Sequence, residues 1–139
     1  MAEYADFNKA IIEEFRANQG KVGGRFEGGT LLLLHHTGAK SGQERVNPLA
    51  YQQVGDSYAI FASKGGGPVD PAWFHNVVAH PDVTIEVGTE TIPVRARVAE
   101  PTERDVIYAR QVERAPHFGE YVEKAAPRII PVVILDPVA

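Results

Sequence analysis

The sequence predicts an α+β protein, mainly β, in which about six mostly antiparallel strands form a small barrel packed by three or four helices. Three observations carry that expectation. Short apolar or alternating runs recur at Leu31–Leu34, Tyr58–Ala62, Val83–Val87, Thr91–Val98 and Ile129–Leu135. Glycine turns separate neighbouring runs, at Gly38–Gly42, Gly55-Asp56 and Gly88-Thr89. Helical spacing is confined to the N-terminus, to the segment after Asp70 and to the segments after Pro101.

Each element has its own reason. Ala5 to Asn18 reads as an amphipathic helix, with Phe7, Ile11 and Phe15 at four-residue steps and Ile12 widening the stripe. Gln19 to Gly29 holds five glycines and reads as a loop. Thr30 to His36 is apolar nearly throughout, which suits a strand covered on both faces. Gln43 to Val54 and Ser57 to Ala62 are the next strands, and Pro48 sets the former at an edge or bulge. Asp70 is expected to cap a helix, with Pro71 as its first residue, that carries Trp73 and stops before Pro81. Val83–Val87 and Thr91–Val98 alternate as a strand pair; Arg95 and Arg97 face away from Val94 and Ala96. Thr102 and Asp105 have the spacing of a capping box for a helix reaching about Arg114. A short helix over Phe118–Ala125 and a strand over Ile129–Leu135 complete the chain.

Composition bounds the function. Residues 1–139 read as a single domain, with 1–29 forming an N-terminal helix and a glycine-rich lead-in. Hydrophobic residues at 44% suffice for a real core. A net charge of -4 argues against general nucleic-acid affinity. With no cysteine there is no disulfide framework or thiolate chemistry. The polar, acidic start does not resemble a signal peptide, and no apolar run is long enough to span a membrane. These features agree with a cytoplasmic protein. Peripheral membrane contact by the first helix, and homo-oligomerisation, stay open.

The chemistry concentrates in two segments. In the first, Ser63-Lys64-Gly65-Gly66-Gly67 follows a strand and precedes a helix. Glycines admit close backbone approach, a helix N-terminus favours an anion, and Lys64 adds a full charge. A plain connector with a surface lysine would read the same way. In the second, Gly38-Ala39-Lys40-Ser41-Gly42 lies between two strands, and Arg45 and Asn47 follow on one strand face. It is not a P-loop, because Ala39 precedes Lys40 and a strand follows. Lys40, Ser41, Arg45 and Asn47 nevertheless suit a phosphate or carboxylate. His35 and His36 face opposite ways on a strand, and His75 and His80 are spaced poorly for one helix face, so no metal site is expected. No serine sits in a Gly-x-Ser-x-Gly elbow. These residues point to a bound cofactor that brings its own chemistry.

Four pieces in order then carry a resemblance: Leu31-Leu32-Leu33-Leu34-His35-His36-Thr37-Gly38-Ala39-Lys40-Ser41-Gly42, Arg45-Val46-Asn47-Pro48-Leu49, Ala62-Ser63-Lys64-Gly65-Gly66 and Asp70-Pro71-Ala72-Trp73-Phe74-His75-Asn76. Together with Asn76 to Val87 and Ile130-Pro131-Val132, they resemble the deazaflavin-dependent nitroreductase family of flavin/deazaflavin oxidoreductases, over about Phe15 to Asp136. The resemblance implies a split β-barrel and coenzyme F420, an 8-hydroxy-5-deazaflavin, as hydride donor. It implies contacts to the cofactor's phosphate and tail at Lys40, Ser41, Arg45, Val46, Asn47 and Pro48. It places Ala62, Ser63, Lys64 and Gly65 near the ring, with Ala72, Trp73 and Asn76 completing the pocket. Tyr121 is the nearest match to a substrate-side tyrosine.

The resulting expectation is an F420H2-dependent reductase acting on a small electrophile: a quinone, an activated enone or a nitroaromatic. The alternatives are an FMN-binding oxidoreductase on the same barrel, a non-catalytic F420 carrier and a phosphoanion-binding module with no redox role.

Overall fold

A computed structural model describes residues 2–18 and 31–138. The glycine-rich lead-in expected over residues 19–29 lies outside the described residues. The elements are α1 (Ala2–Ala17), β1 (Leu31–Thr37), β2 (Glu44–Val54), β3 (Ser57–Phe61), α2 (Ala72–Ala79), β4 (Asp82–Val87), β5 (Glu90–Val98), α3 (Pro101–Arg114), α4 (His117–Ala125) and β6 (Val132–Pro137). A single 3-10 turn, Lys64–Gly66, lies between β3 and α2.

All six strands pair antiparallel and close in the order β1-β2-β3-β6-β5-β4. Strand alternation sorts the side chains. Leu32, Leu34, Ile60, Ile85, Val94, Val133 and Leu135 meet in one interior cluster, and Trp73 and Val77 of α2 join it. Each such fully buried aliphatic side chain contributes about 2 kcal/mol. The outward residues Leu31 and Leu33 pack under Ile11 and Phe15 of α1. β1 is therefore covered on both faces, as its unbroken apolar run requires. On the far side, α3 and α4 cover β3 and β6 through Ile107, Tyr108, Phe118 and Ala125 against Ala59, Phe61, Val132 and Ile134.

The barrel is split on one side. β1 pairs with β2 over Glu44–Ala50, but β3 meets β2 only over Tyr51–Val54. Pro48 lies in the stretch that, among the described residues, pairs with β1 alone, where its missing N–H is tolerated.

Three local expectations need correction. α2 begins at Ala72 with Pro71 as N-cap and no side-chain cap. Asp70 instead accepts a hydrogen bond from Arg128 at 2.6 Å. α3 likewise starts at Pro101 after Glu100, with no side-chain cap, so Thr102 is already helical and Asp105 pairs with Arg104 at 3.0 Å. The last strand starts at Val132, one residue after Pro131. Pro131 still serves the barrel, since its carbonyl accepts the amide of Ala62 at 3.0 Å.

Candidate cofactor site

Two segments flank α2, one leading into its N-terminal end and the other bonded to its second turn. The first is Ser63–Gly67. Arg128, in the chain between α4 and β6, anchors it from behind. Nε donates to Gly67 O at 3.1 Å; Nη1 to Ala62 O at 3.1 Å and Asp70 Oδ1 at 2.6 Å; Nη2 to Ser63 O at 2.9 Å and Gly67 O at 2.8 Å. One planar guanidinium thus gathers three carbonyls and a carboxylate. The carbonyls turn toward Arg128, and among the described residues nothing accepts the amides of Ser63 and Lys64. Lys64 has φ +50, unusual for a residue with a Cβ. Such strain persists where the surroundings over-determine it, and Arg128 supplies that constraint. Gly66, at φ +86, lies against α4: a Cβ there would stand 2.7 Å from Lys124 Cβ and 3.2 Å from the backbone of Tyr121. Tyr121 is thereby set beside the loop, its ring 5.2 Å from Phe118 and 5.4 Å from His117.

The second segment is the β1–β2 turn. Gly38 N donates to Gln43 O at 2.8 Å and Gly42 N to Gly38 O at 3.0 Å, with Gly42 at φ +71. The Ser41 hydroxyl accepts the amide of Gln43 at 3.2 Å. Asn76 of α2 holds this turn, its Oδ1 accepting the Ala39 amide at 2.9 Å. Asn76 Nδ2 also lies 3.0 Å from His36 Nδ1, and His36 Nε2 lies 2.6 Å from Asn47 Oδ1. His36 is 2% exposed, and its pKa falls below 6.5, first through burial and then through the Arg45 and His35 charges, against the Asn47 bond.

The predicted residues separate by environment. Lys40, Ser41, Arg45 and Lys64 are exposed, and among the described residues the three cations make no ion pair. Ala72 is also exposed, while Asn47 is half-buried. Val46 packs with α1 on the opposite face of β2, and Pro48 shares that face by alternation. Ala62 and Trp73 belong to the barrel interior, so Trp73 is firmly core. Asn76 is buried and already bonded to the protein on both sides. Sequence reasoning passed over Arg128 and weighed His36 only as a metal ligand. Both act on partners far away in sequence, and the only available signal for His36 was a polar residue on the inward face of an apolar strand.

On the outer face, His35 contacts Glu44 Oε1 at 3.2 Å and Glu86 Oε2 at 2.5 Å, and Arg16 of α1 reaches Glu86 at 2.7 Å. Hydrogen bonding from Arg16 holds the Glu86 pKa low. A shallow depression of 370 Å³ lies here, with Glu44 and Asp82 in its lining. Those carboxylates suit no polyanion, unlike the cation-bearing segments beside α2. Among the described residues no group of three His, Cys, Asp or Glu side chains is placed to hold a metal. No helix among them is long and apolar enough to cross a membrane.

Fold and site together define a split-barrel protein in which the two segments beside α2 carry exposed cations that make no ion pair and backbone amides that find no acceptor among the described residues, with a helix start that has no side-chain cap. A family model described as F420H(2)-dependent quinone reductase matches residues 8–137. An F420H(2)-dependent quinone reductase of Mycobacterium tuberculosis (strain ATCC 25618 / H37Rv) is 40% identical over 124 residues, covering 87% of this chain and 83% of the relative. Among solved structures, an F420-H2 dependent reductase is 40% identical with TM-score 0.70, covering 77% of this chain and 94% of its own. A structure described as a domain-swapped dimer is 35% identical with TM-score 0.71, covering 97% and 98%. The chain belongs to the F420H2-dependent quinone reductase family. It is an F420H2-dependent reductase, and its cofactor is coenzyme F420.

Proposed function

We propose that this enzyme uses F420H2 to reduce a small flat electrophile of the quinone class, with activated enones and nitroaromatics as secondary acceptors. The observation that carries the reading is the trio Lys40, Arg45 and Lys64, exposed and without ion-pair partners among the described residues, on two segments that are themselves firmly tied down. Lys40, Ser41 and Arg45 would hold the phosphate and anionic tail, and the Ser63 and Lys64 amides with the Lys64 ammonium would hold the ring end. Bound there, the cofactor supplies a hydride. The chain's part is to bind, orient and exclude water, which needs no side-chain base. Trp73 acts as the wall beneath, since its packing fixes the start of α2. Tyr121, held beside Gly66 by α4, would contact the acceptor. The quinone-reductase relative of M. tuberculosis supports the choice of acceptor class. The neighbour described as a domain-swapped dimer supports a homo-oligomer.

The test is a titration with F420 and with FMN, followed by absorbance and fluorescence, and then addition of menadione to the reduced complex. F420 should bind more tightly than FMN, and menadione should reoxidise the complex with turnover. Equal or tighter FMN binding would overturn the cofactor assignment. Tight F420 binding with no turnover on menadione, an enone or a nitroaromatic would leave the carrier reading in its place.

A further inference from the structure

The hydrogen bonds around His36 have a direction. A backbone N–H can only donate, so the Asn76 atom 2.9 Å from the Ala39 amide must be its carbonyl oxygen. Asn76 then turns its NH2 toward His36 Nδ1 at 3.0 Å, and Nδ1 must accept. The ring proton of the neutral imidazole therefore sits on Nε2, from which it is donated to Asn47 Oδ1 at 2.6 Å. Asn47 is thereby oriented: its oxygen faces the His36 donor, and its NH2 is the terminal group. Among the described residues nothing accepts from that NH2. Burial keeps the imidazole neutral, and the nearby Arg45 and His35 charges push the same way.

We infer that His36 is a positioning residue: it fixes the polarity of Asn47, so that this point of the site offers a donor and selects a hydrogen-bond acceptor, an oxyanion or carbonyl oxygen, on the ligand. The ligand side of the inference rests on the proposed F420 site. The polarity itself does not, because it originates at a main-chain amide. A site with fixed polarity rejects a ligand that offers a donor at that point, since two donors would face each other with neither satisfied. Arg45 shares the same face of β2 and attracts anions of any shape. Asn47 would add the directional component that a cation lacks.

The experiment uses the full chain, labelled with nitrogen-15. Histidine ring signals should show His36 as the neutral Nε2–H tautomer from pH 5.5 to 8. Adding F420, or inorganic phosphate as a simpler probe, should shift the Asn47 side-chain NH2 pair while the tautomer stays. In His36→Phe the Asn47 pair should lose its distinct position, and the F420 KM should rise roughly fivefold with a smaller loss in kcat, the size of one net hydrogen bond. A His36 ring protonated at Nδ1 and not at Nε2 would overturn the polarity whether or not F420 binds. F420 binding that leaves the Asn47 pair unmoved would overturn the recognition role while the proposed function stands. If F420 does not bind at all, the functional reading falls and takes the ligand assignment with it; the tautomer still decides the polarity.

Discussion

The β1–β2 turn and the Ser63–Gly67 loop carry the site's cations, yet they are held in opposite ways. The turn hangs on a chain of neutral groups: a main-chain amide, an asparagine, an imidazole and a second asparagine. The loop hangs on a single charged fork, Arg128, with Asp70 as counter-ion. The neutral chain orients side chains and passes direction from one to the next. The guanidinium orients backbone, gathering carbonyls and leaving amides free. The first device depends on protonation. The second fails when its one residue is removed.

The largest effect should come from Arg128. Arg128→Met strands Asp70 and three carbonyls in a partly buried setting, which should cost about 3 kcal/mol. Thermal unfolding should fall by roughly 10 °C for a chain of this size. Arg128→Lys should recover less than half, because an ammonium cannot fork to four oxygens. Wild-type melting in Arg128→Met would mean the loop is held by something else.

Glycine substitutions sharpen the contrast at the next level. Gly66→Ala meets both an unfavourable φ and the backbone of α4, so it should cost about 2–3 kcal/mol. Gly42→Ala, in the turn, has a similar φ but nothing within 4 Å of the new Cβ, so it should cost only about 1 kcal/mol. Equal losses, measured by urea unfolding, would show that α4 yields and does not clamp the loop.

Mild acid should separate the two devices. His36 titrates lower in the folded protein than its ordinary 6.5, so the unfolded chain takes up the proton first as pH falls. Its contribution is whole above about pH 6.5 and drains away below it, with a slope of at most about 1.4 kcal/mol per pH unit. Glu86, held low by Arg16, adds its own loss only further down, below its ordinary 4.5. Melting curves from pH 8 to pH 5 should therefore slope in the wild type and flatten in His36→Phe. Identical slopes would detach stability from the imidazole.

The smallest effects should be at the exposed cations of the turn. Lys40→Ala and Arg45→Ala should each raise the F420H2 KM by roughly threefold to tenfold at low salt, about 1 kcal/mol, with kcat nearly kept. Added salt should shrink the difference from wild type. A variant whose KM matches wild type at both low and high salt would remove that cation from the site.

What could be read in advance follows the range of the forces. The doubly covered β1 was legible because Leu31–Leu34 is apolar at every position, and β5 because Val94 and Ala96 alternate with Arg95 and Arg97. Asp70 and Thr102 misled because their letters match local caps. Asp70 is taken by a residue 58 positions away, and α3 starts on Pro101 before Thr102 could cap it. The anion-friendly cations stood out as charges among glycines. Arg128 and His36 did not, since a guanidinium near a chain end or a histidine after four leucines means nothing until the fold supplies Gly67 or Asn76.

Among the described residues, the half of β2 that lacks β3 as a neighbour bears on how the protein could meet copies of itself. A strand with one side unpaired is a template on which another chain can add. Pro48, in the middle of that stretch, has no N–H and so interrupts regular ladder pairing along it. Among the described residues, a copy that adds along this half of β2 would therefore have to pair around an imino acid, in a fold that elsewhere closes its strands on one another.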